Sequence, residues 1–181
     1  MKKSILIPNP FTEDDRIREL FLISNQYRNR VVPEKFQAPF DEGFEEGLTG
    51  MREPFDVLLQ SHGIKGESSN IIRLKKAIVP SILAHKYHFN VERPYALARK
   101  YNIPFKYDRL RTTHSPSYPS GHTTQAYYVA EKLSKKYPNL RNQLLALAEL
   151  ISESRIDRGV HYPSDLIGGR LLVRAILRGE Q

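Results

Sequence analysis

Residues 154–165 read SRIDRGVHYPSD, and the rest of the chain is interpreted outward from this stretch. Arg155 is followed after five intervening residues by His161, and Asp165 lies four residues beyond that histidine. Pro163 favours a helix that begins here, because proline in a first turn lacks only an N–H that the helix does not use. Asp165 would then lie about one turn into the helix, close enough to hold one nitrogen of His161. The stretch therefore predicts an oriented imidazole beside a guanidinium, an arrangement suited to attack on phosphorus.

The overall composition limits the classes of protein to consider. A length of 181 residues predicts one domain with a hydrophobic core, and no stretch approaches the ~18 apolar residues of a membrane span. The absence of cysteine excludes thiolate catalysis, disulfides and thiolate metal sites. A net charge of +8 suits an anionic partner, such as a phosphorylated metabolite, a nucleic acid or an anionic membrane. Most of the 28 Lys and Arg residues are nevertheless expected to solvate helix surfaces.

The N-terminus resembles the start of a signal peptide, since Met1, Lys2 and Lys3 precede an apolar run. That run ends at Pro8, short of the roughly 7–15 residues of an h-region. We therefore expect a cytoplasmic protein, with a periplasmic or secreted one as the alternative if a leader has been removed.

Apolar residues recur with helical spacing along much of the chain. The spacing predicts helices from Phe11 to about Arg30, Phe55 to His62, Ser68 to about His88, Pro119 to Lys136, Leu140 to Asp157 and Tyr162 to Arg178. Thr12 is expected to cap the first helix and Ser68 or Ser69 the third, while Pro80 predicts a kink or two abutting helices.

The segments between these helices are predicted to be irregular. Residues 31–54 are interpreted as a loop with one short helix and as a candidate lid, and residues 89–118 as connecting and site-building loops. Gly168 and Gly169 are expected to permit close packing of the last helix. Because no Val, Ile or Thr run alternates as a strand would, the chain is predicted to be an all-α domain, a helical bundle.

Three clusters of polar residues lie in a fixed order along the chain. The first is Lys86 with Arg93-Pro94 seven residues later, the second is residues 119–122 (PSGH), and the third is the opening stretch, residues 154–165. Each cluster alone has an ordinary explanation, such as surface charges, a helix start or a hydrogen bond at a helix end. Their combination in this order calls for a common explanation.

Together the clusters resemble the three-part signature of the type 2 phosphatidic acid phosphatase superfamily, which includes soluble bacterial acid phosphatases and vanadium haloperoxidases. That signature is Lys-x6-Arg-Pro, then Pro-Ser-Gly-His, then Ser-Arg-x5-His-x3-Asp, and all three parts are present with their internal spacings. The match spans residues 86–165. The resemblance implies a single phosphatase domain over residues 1–181, in which residues 1–85 supply helices that complete a bundle of the acid phosphatase/vanadium haloperoxidase type.

The resemblance also implies a role for each matching residue. His161 would attack phosphorus to form a phosphohistidine, Asp165 would fix the tautomer of that histidine, and His122 would protonate the leaving alcohol and later activate water. Phosphate oxygens would be bound by Lys86, Arg93, Ser120, Gly121 and Arg155. No metal site and no cofactor are expected, because the basic side chains would take the place of magnesium. Of His114 and Tyr118, just before the second cluster, one is expected only to pack beside the pocket.

The leading interpretation is a soluble, metal-independent phosphatase acting on phosphomonoesters or pyrophosphates, with a phosphorylated small molecule or a lipid as substrate. One alternative is a vanadate-dependent haloperoxidase, which would use the same anion pocket but belongs to generally much larger chains. Another is a phosphate- or nucleic-acid-binding module without catalysis. Binding alone requires cations but not two histidines and an aspartate, so nucleic acid is the less favoured partner. The substrate and a homo-oligomeric state are left open.

Overall fold

The computed structural model describes residues 6–24, 51–108 and 110–179. Seven α-helices lie within these ranges: α1 (Glu13–Leu22), α2 (Arg52–Ser61), α3 (Ser68–Phe89), α4 (Pro94–Lys100), α5 (Gly121–Lys136), α6 (Arg141–Asp157) and α7 (Pro163–Gly179). Short 3-10 helices cover Arg111–His114 and Pro138–Leu140. No strand occurs in the described ranges, and the predicted all-α helical fold is confirmed. None of the described helices is both long enough and apolar enough to cross a membrane.

Helix α5 lies at the centre of the bundle and packs against α3, α6 and α7. Its buried face includes Ala126, Val129, Ala130 and Leu133, all at most 1% exposed. The two alanines let neighbouring helices approach closely, while each larger apolar side chain contributes about 1.5–3 kcal/mol when fully buried. The first residue of α5 belongs to the second polar cluster, so the central helix places that cluster inside the bundle.

A smaller apolar cluster joins α1 and α4 to the beginning of α7. It consists of Leu20, Ile23, Leu97, Ala98, Ile156, Tyr162 and Leu166. Since Ile156 and Tyr162 lie within residues 154–165, this cluster packs α1 directly against the stretch predicted to contain the reacting histidine.

The capping predictions had different outcomes. Thr12 caps α1 as predicted: its hydroxyl accepts from the Asp15 N–H at 3.2 Å, and the Asp15 carboxylate accepts from the Thr12 N–H at 2.9 Å. The prediction of a Ser68 or Ser69 cap on α3 is wrong. Glu67 occupies the cap position without a side-chain cap, and the Ser68 hydroxyl donates to Asp56 at 2.7 Å, which links α3 to α2.

Three other predictions concern helix limits. The prediction that residues 89–118 are loops is wrong in part, because α4 begins at Pro94 and is too short to show a periodic pattern. Helix α3 continues through Pro80 rather than splitting into two helices. Pro80 is exposed, so the carbonyl that loses its N–H partner lies on a side of the helix open to water. Residues 25–50 lie outside the described ranges. The end of the predicted first helix and most of the candidate lid at 31–54 fall on these residues. The last residues of that lid segment belong to α2, which begins at Arg52.

The two glycines of α7 permit close packing, as predicted. A Cβ added to Gly168 would lie 2.3 Å from the ring of Tyr118, and one added to Gly169 would lie 3.0 Å from Thr123 of α5. Tyr118 and Thr123 are both fully buried, so neither can move aside easily. The backbone of α7 therefore packs directly against Tyr118 and Thr123.

Substitution Gly168→Ala should destabilise the fold. Alanine improves helix propensity by about 1 kcal/mol, but inserting its methyl group against the Tyr118 ring costs more, typically about 1–3 kcal/mol and more at so short a distance. We expect a net loss of about 2 kcal/mol in the free energy of unfolding, measured by urea denaturation. Arg174→Ala, at an exposed position of the same helix, is the control and should change stability little. Equal stability of Gly168→Ala and the parent would contradict the packing described here.

Candidate active site

The three polar clusters converge on one cavity of about 470 Å³. Its lining includes six of the eight residues predicted for the site: Lys86, Arg93, Gly121, His122, Arg155 and His161. The other two, Ser120 and Asp165, are fully buried behind this wall. Lys86 and His161 thus line the same cavity although 75 positions separate them in the sequence. They meet because α3, α5 and the connection from α6 to α7 converge at this cavity.

The connection from α6 to α7 turns sharply, which brings His161 to the cavity. Helix α6 ends with the Val160 N–H donating to the Arg155 carbonyl (3.1 Å) and the Gly159 N–H donating to the Ile156 carbonyl (2.8 Å). Gly159 has φ +67°, and a Cβ there would lie 2.8 Å from the Lys106 carbonyl oxygen. Only glycine suits this position. The chain reverses its direction at this turn, between Arg155 and His161.

His161 is held in a defined orientation. Its Nδ1 lies 2.8 Å from Asp165 Oδ2, which also accepts from the Ser117 hydroxyl and from the Tyr162 N–H at 3.0 Å. Because a carboxylate oxygen accepts only, Nδ1 must bear the proton. The unprotonated Nε2 then accepts from Arg93 Nη1 at 3.0 Å. The pair therefore presents Nε2, the nucleophilic atom of this tautomer, toward a cation at the cavity wall.

The protonation states of this pair follow from burial and from neighbouring charges. Burial, with a further contribution from Arg93, lowers the pKa of His161 to about 3 even though Asp165 opposes the shift. Burial alone would raise the pKa of Asp165, but the hydrogen bond from His161 and the charge of Arg16 outweigh it, so the pKa is lowered. At neutral pH the site therefore holds a neutral imidazole beside an ionised carboxylate.

Lys86 and Arg93 are held by backbone carbonyl oxygens of residues 115–117. Lys86 Nζ donates to Pro116 O at 2.5 Å and to Ser117 O at 3.0 Å, while Arg93 Nε donates to Ser115 O at 2.9 Å. The two side chains are only 4% and 6% exposed. Burial lowers the pKa of both, and for Lys86 the charge of Arg93 adds to the effect. A bound anion would oppose these shifts, since it would favour the charged forms.

Arg155 supplies a third buried cation and is 1% exposed. Its Nε donates to the hydroxyl of the neighbouring Ser154 at 3.0 Å, and that hydroxyl donates to the Ile151 carbonyl at 2.7 Å. Burial lowers the pKa of Arg155 to about 10, so the guanidinium remains charged at neutral pH. Three cationic side chains consequently face one cavity, which favours an anion with several oxygen atoms.

The start of α5 contributes the second polar cluster. The Ser120 hydroxyl caps the helix by accepting from the N–H and the hydroxyl of Thr123, at 3.3 and 3.0 Å, and the Ser120 N–H donates to the Asp165 carbonyl at 3.0 Å. A Cβ at Gly121 would meet only ordinary contacts, 3.5 Å from Ile82 and 3.8 Å from Lys86. Packing therefore does not require glycine at residue 121. The partial positive charge of the α5 N-terminus adds to the cations of the cavity.

His122 lies at the cavity wall and is only partly buried. Burial is the largest cause that lowers its pKa, followed by the charge of Arg155 and the neighbouring His161. His122 is therefore neutral at neutral pH. To serve as an acid, as the resemblance implies, it must gain a proton when an anion binds. The negative charge of that anion would raise the pKa of His122.

Sequence reasoning missed two residues that contact Asp165. The Ser117 hydroxyl lies only two residues before Pro119 of the second cluster, and that closeness to a motif was an available signal. Arg16 Nη1 lies 3.3 Å from Asp165 Oδ1, although 149 positions separate the two residues. A surface helix rich in charges gives no sign of which arginine turns inward, so nothing in the sequence distinguished Arg16.

The remaining predictions concern the cavity surroundings. His114 lines the cavity, whereas Tyr118 packs in the core and donates its hydroxyl to the Pro8 carbonyl at 2.5 Å. One of the two residues therefore only packs, as predicted. Within residues 6–24, 51–108 and 110–179, no three carboxylate or imidazole side chains converge as potential ligands of a metal ion.

Comparison with known protein families identifies one to which the chain is similar. The family model described as the PAP2 superfamily matches residues 70–179, which is well over half of the chain. No curated protein matches the chain. The matched segment begins at the first turn of α3 and ends with α7, so it contains all eight predicted site residues and leaves α1 and α2 outside.

The lowered pKa of His161 makes a prediction about stability in acid. The unfolded chain binds a proton near the ordinary pKa of 6.5 and the folded chain only near about 3, so stability should fall as the pH falls between these values. Substitution His161→Gln removes this proton uptake and should flatten the dependence by about 1.4 kcal/mol per pH unit. The measurement is the free energy of unfolding in urea between about pH 4 and pH 6.

Ser117→Ala is a suitable control, because it weakens the same buried pair without removing the imidazole. Its free energy of unfolding, plotted against pH, should be displaced from that of the parent but should run nearly parallel to it. If the curve of His161→Gln were also parallel to that of the parent, the folded state would not keep His161 neutral.

Proposed function

Since the chain belongs to the PAP2 superfamily, we propose that it is a metal-independent phosphatase that hydrolyses phosphomonoesters or pyrophosphates through a phosphohistidine. The observation that supports this proposal most directly is the neutral imidazole of His161, paired with the buried Asp165 and facing a cavity lined by three cations. Binding of an anion would need the cations alone. A fixed tautomer with its basic nitrogen toward the anion is what a nucleophile needs.

Substrate binding would begin with exchange of a hydrogen bond. Arg93 Nη1 donates both to the Val160 carbonyl at 2.8 Å and to His161 Nε2 at 3.0 Å. A phosphate oxygen beside Arg93 is a stronger acceptor than a neutral imidazole, because it is charged. The phosphate would therefore take over this N–H and release the lone pair of Nε2 toward phosphorus.

The first chemical step would transfer the phosphoryl group to His161. Nε2 forms a bond to phosphorus while the bond from phosphorus to the leaving oxygen breaks, and that oxygen takes a proton from His122. Lys86, Arg93 and Arg155 would stabilise the charge on the three equatorial oxygens. The positive charge that develops on His161 is balanced by Asp165 at Nδ1.

The second step would regenerate the enzyme. His122, now neutral, takes a proton from water as the water oxygen attacks phosphorus, and the bond between phosphorus and Nε2 breaks. Inorganic phosphate leaves and His161 returns to its neutral form. His122 then acts as an acid in the first step and as a base in the second, which its position at the cavity wall supports.

Apart from Lys86, the residues of α3 that line the cavity form a largely apolar wall, which would face the leaving group. It consists of Val79, Ile82, Leu83 and Tyr87, with Tyr87 65% exposed at the rim. Such a wall favours an aromatic or aliphatic group bonded to the phosphate, since contact with it removes apolar surface from water. A phosphorylated small molecule with an apolar portion, or a lipid phosphate, would suit both sides of the cavity.

The proposal predicts phosphate release from an aryl phosphate by the parent and at least a thousandfold less, ~10³, by His161→Ala, because no other side chain replaces the nucleophile. Release should survive EDTA and be inhibited by vanadate, which mimics the transition state. An acid-labile phosphoenzyme should be trapped with the parent but not with His161→Ala. His62→Ala, at an exposed histidine outside the cavity, is the matched control and should retain activity.

Two results would overturn this proposal. Strong dependence of turnover on an added metal would show that the basic side chains are not sufficient. Absence of turnover on any phosphoester, together with equal binding of inorganic phosphate by the parent and by His161→Ala, would identify a binding module without catalysis.

His122→Ala separates the two proposed histidine roles. A substrate with a good leaving group needs little help from an acid, so this variant should still form phosphohistidine but hydrolyse it slowly. We expect phosphoenzyme to accumulate, measured by rapid quench with a ³²P-labelled nitrophenyl phosphate, while steady-state turnover falls about 10²–10⁴-fold. Failure of this variant to form any phosphoenzyme would contradict the assignment of His161 as nucleophile and His122 as acid and base.

A further inference from the structure

Arg16 is a buried arginine on α1, outside residues 70–179 that match the family model. It is 5% exposed. Its guanidinium donates to Asp165 Oδ1 at 3.3 Å, to the Ser164 hydroxyl at 3.2 Å and to Asn9 Oδ1 at 3.1 Å. Arg16 thus contacts the carboxylate that orients the proposed nucleophile, but it does not line the cavity in which the substrate would bind.

The contacts of Asp165 are divided between its two oxygens. Oδ2 accepts from His161, from the Ser117 hydroxyl and from the Tyr162 N–H, while Oδ1 accepts from Arg16. A carboxylate held on both oxygens cannot rotate about its terminal bond without breaking one set. The contact at Oδ1 therefore fixes the direction in which Oδ2 faces His161.

We propose that Arg16 is a positioning residue for the reaction proposed above: by holding Asp165 Oδ1, it keeps Oδ2 on Nδ1 of His161 and so keeps Nε2 unprotonated. This inference rests on the proposed phosphatase function. It extends the functional unit to α1, because the cation that completes the pair comes from that helix.

Attachment of α1 to the bundle does not explain a charge at this position. Leu20 and Ile23 are buried in the apolar cluster shared with α7, and the Glu19 carboxylate accepts from the N–H and the hydroxyl of Ser164, both at 2.7 Å. These contacts already fix α1 against the first turn of α7. Burial of a guanidinium is costly, and an apolar side chain of similar size would anchor a helix at least as well.

The requirement for a cation lies at Asp165. This carboxylate is fully buried, and its partners at Oδ2 are a neutral imidazole, a hydroxyl and a backbone N–H. Arg16 adds a full positive charge, and the rings of Tyr118 and Tyr162 lie 5.7 and 5.1 Å from its guanidinium carbon. Burial and the nearby Asp165 raise the pKa of Glu19, whereas the charge of Arg16 lowers it. The net result is an ionised carboxylate available to His161.

The test compares Arg16→Met and Arg16→Lys with two controls. Arg18→Met removes an exposed arginine of the same helix, whose side chain is 76% exposed. Glu19→Gln weakens the other contact between α1 and α7 without removing the cation at Asp165. For each folded variant, the ¹⁵N shifts of the His161 ring at neutral pH report which nitrogen bears the proton, and kcat and KM are measured with an aryl phosphate.

We expect the parent, Arg18→Met and Glu19→Gln to show His161 protonated at Nδ1 alone. Arg16→Met should show a mixture of tautomers, with kcat lowered about tenfold and KM changed less than about twofold, since Arg16 does not contact the substrate. Arg16→Lys should recover most of both signals, because it restores the charge.

The inference is overturned if His161 in Arg16→Met remains protonated at Nδ1 alone with an unchanged kcat. It is equally overturned if Glu19→Gln reproduces the tautomer mixture, because the effect would then come from loosening α1. The ring shifts require no turnover. A parent without phosphatase activity would therefore refute the proposed function while the NMR comparison still decides whether Arg16 orients the pair.

Discussion

The buried carboxylate of Asp165 is the constraint on which the local structure depends. It is fully excluded from water and ionised, so its oxygens must be satisfied by donors within the protein. Those donors come from α1, from the segment before α5 and from Tyr162, directly before α7. The carbonyl of the same residue also accepts from Ser120, at the start of α5. Loss of this one side chain would leave donors from three separate parts of the chain without their acceptor.

The cations of the cavity are buried charges of the opposite sign. Burial of Lys86, Arg93 and Arg155 is unfavourable for folding, as the lowered pKa of each one indicates. Backbone carbonyls of residues 115–117 offset part of that cost for Lys86 and Arg93. The proposed substrate would offset more of that cost, because an anion in the cavity favours the charged forms.

The outcome of the sequence predictions depended on the distance over which each interaction acts. His161 and Asp165 are four residues apart across the start of α7, so spacing along the chain predicted the pair. The cap at Thr12 was predicted for the same reason. The hydroxyl of Ser68 instead bonds to Asp56 on another helix, and a tertiary contact of this kind has no local signal. The short helix α4 was missed because seven residues show less than two full turns of periodicity.

Arg16 shows why motif matching describes only part of such a site. Groups that contact a substrate must satisfy a fixed chemistry, so their types and spacings are recognisable, as they are for Lys86 and Arg155, the cavity residues proposed to bind phosphate. A group that only holds another group must supply a charge at one point in space, and any element that reaches that point can provide it. Here α1 reaches it from outside the matched residues. The proposed reacting residues and Asp165 can therefore be identified from the motifs, whereas Arg16, proposed to orient Asp165 in turn, is identified only from the packed structure.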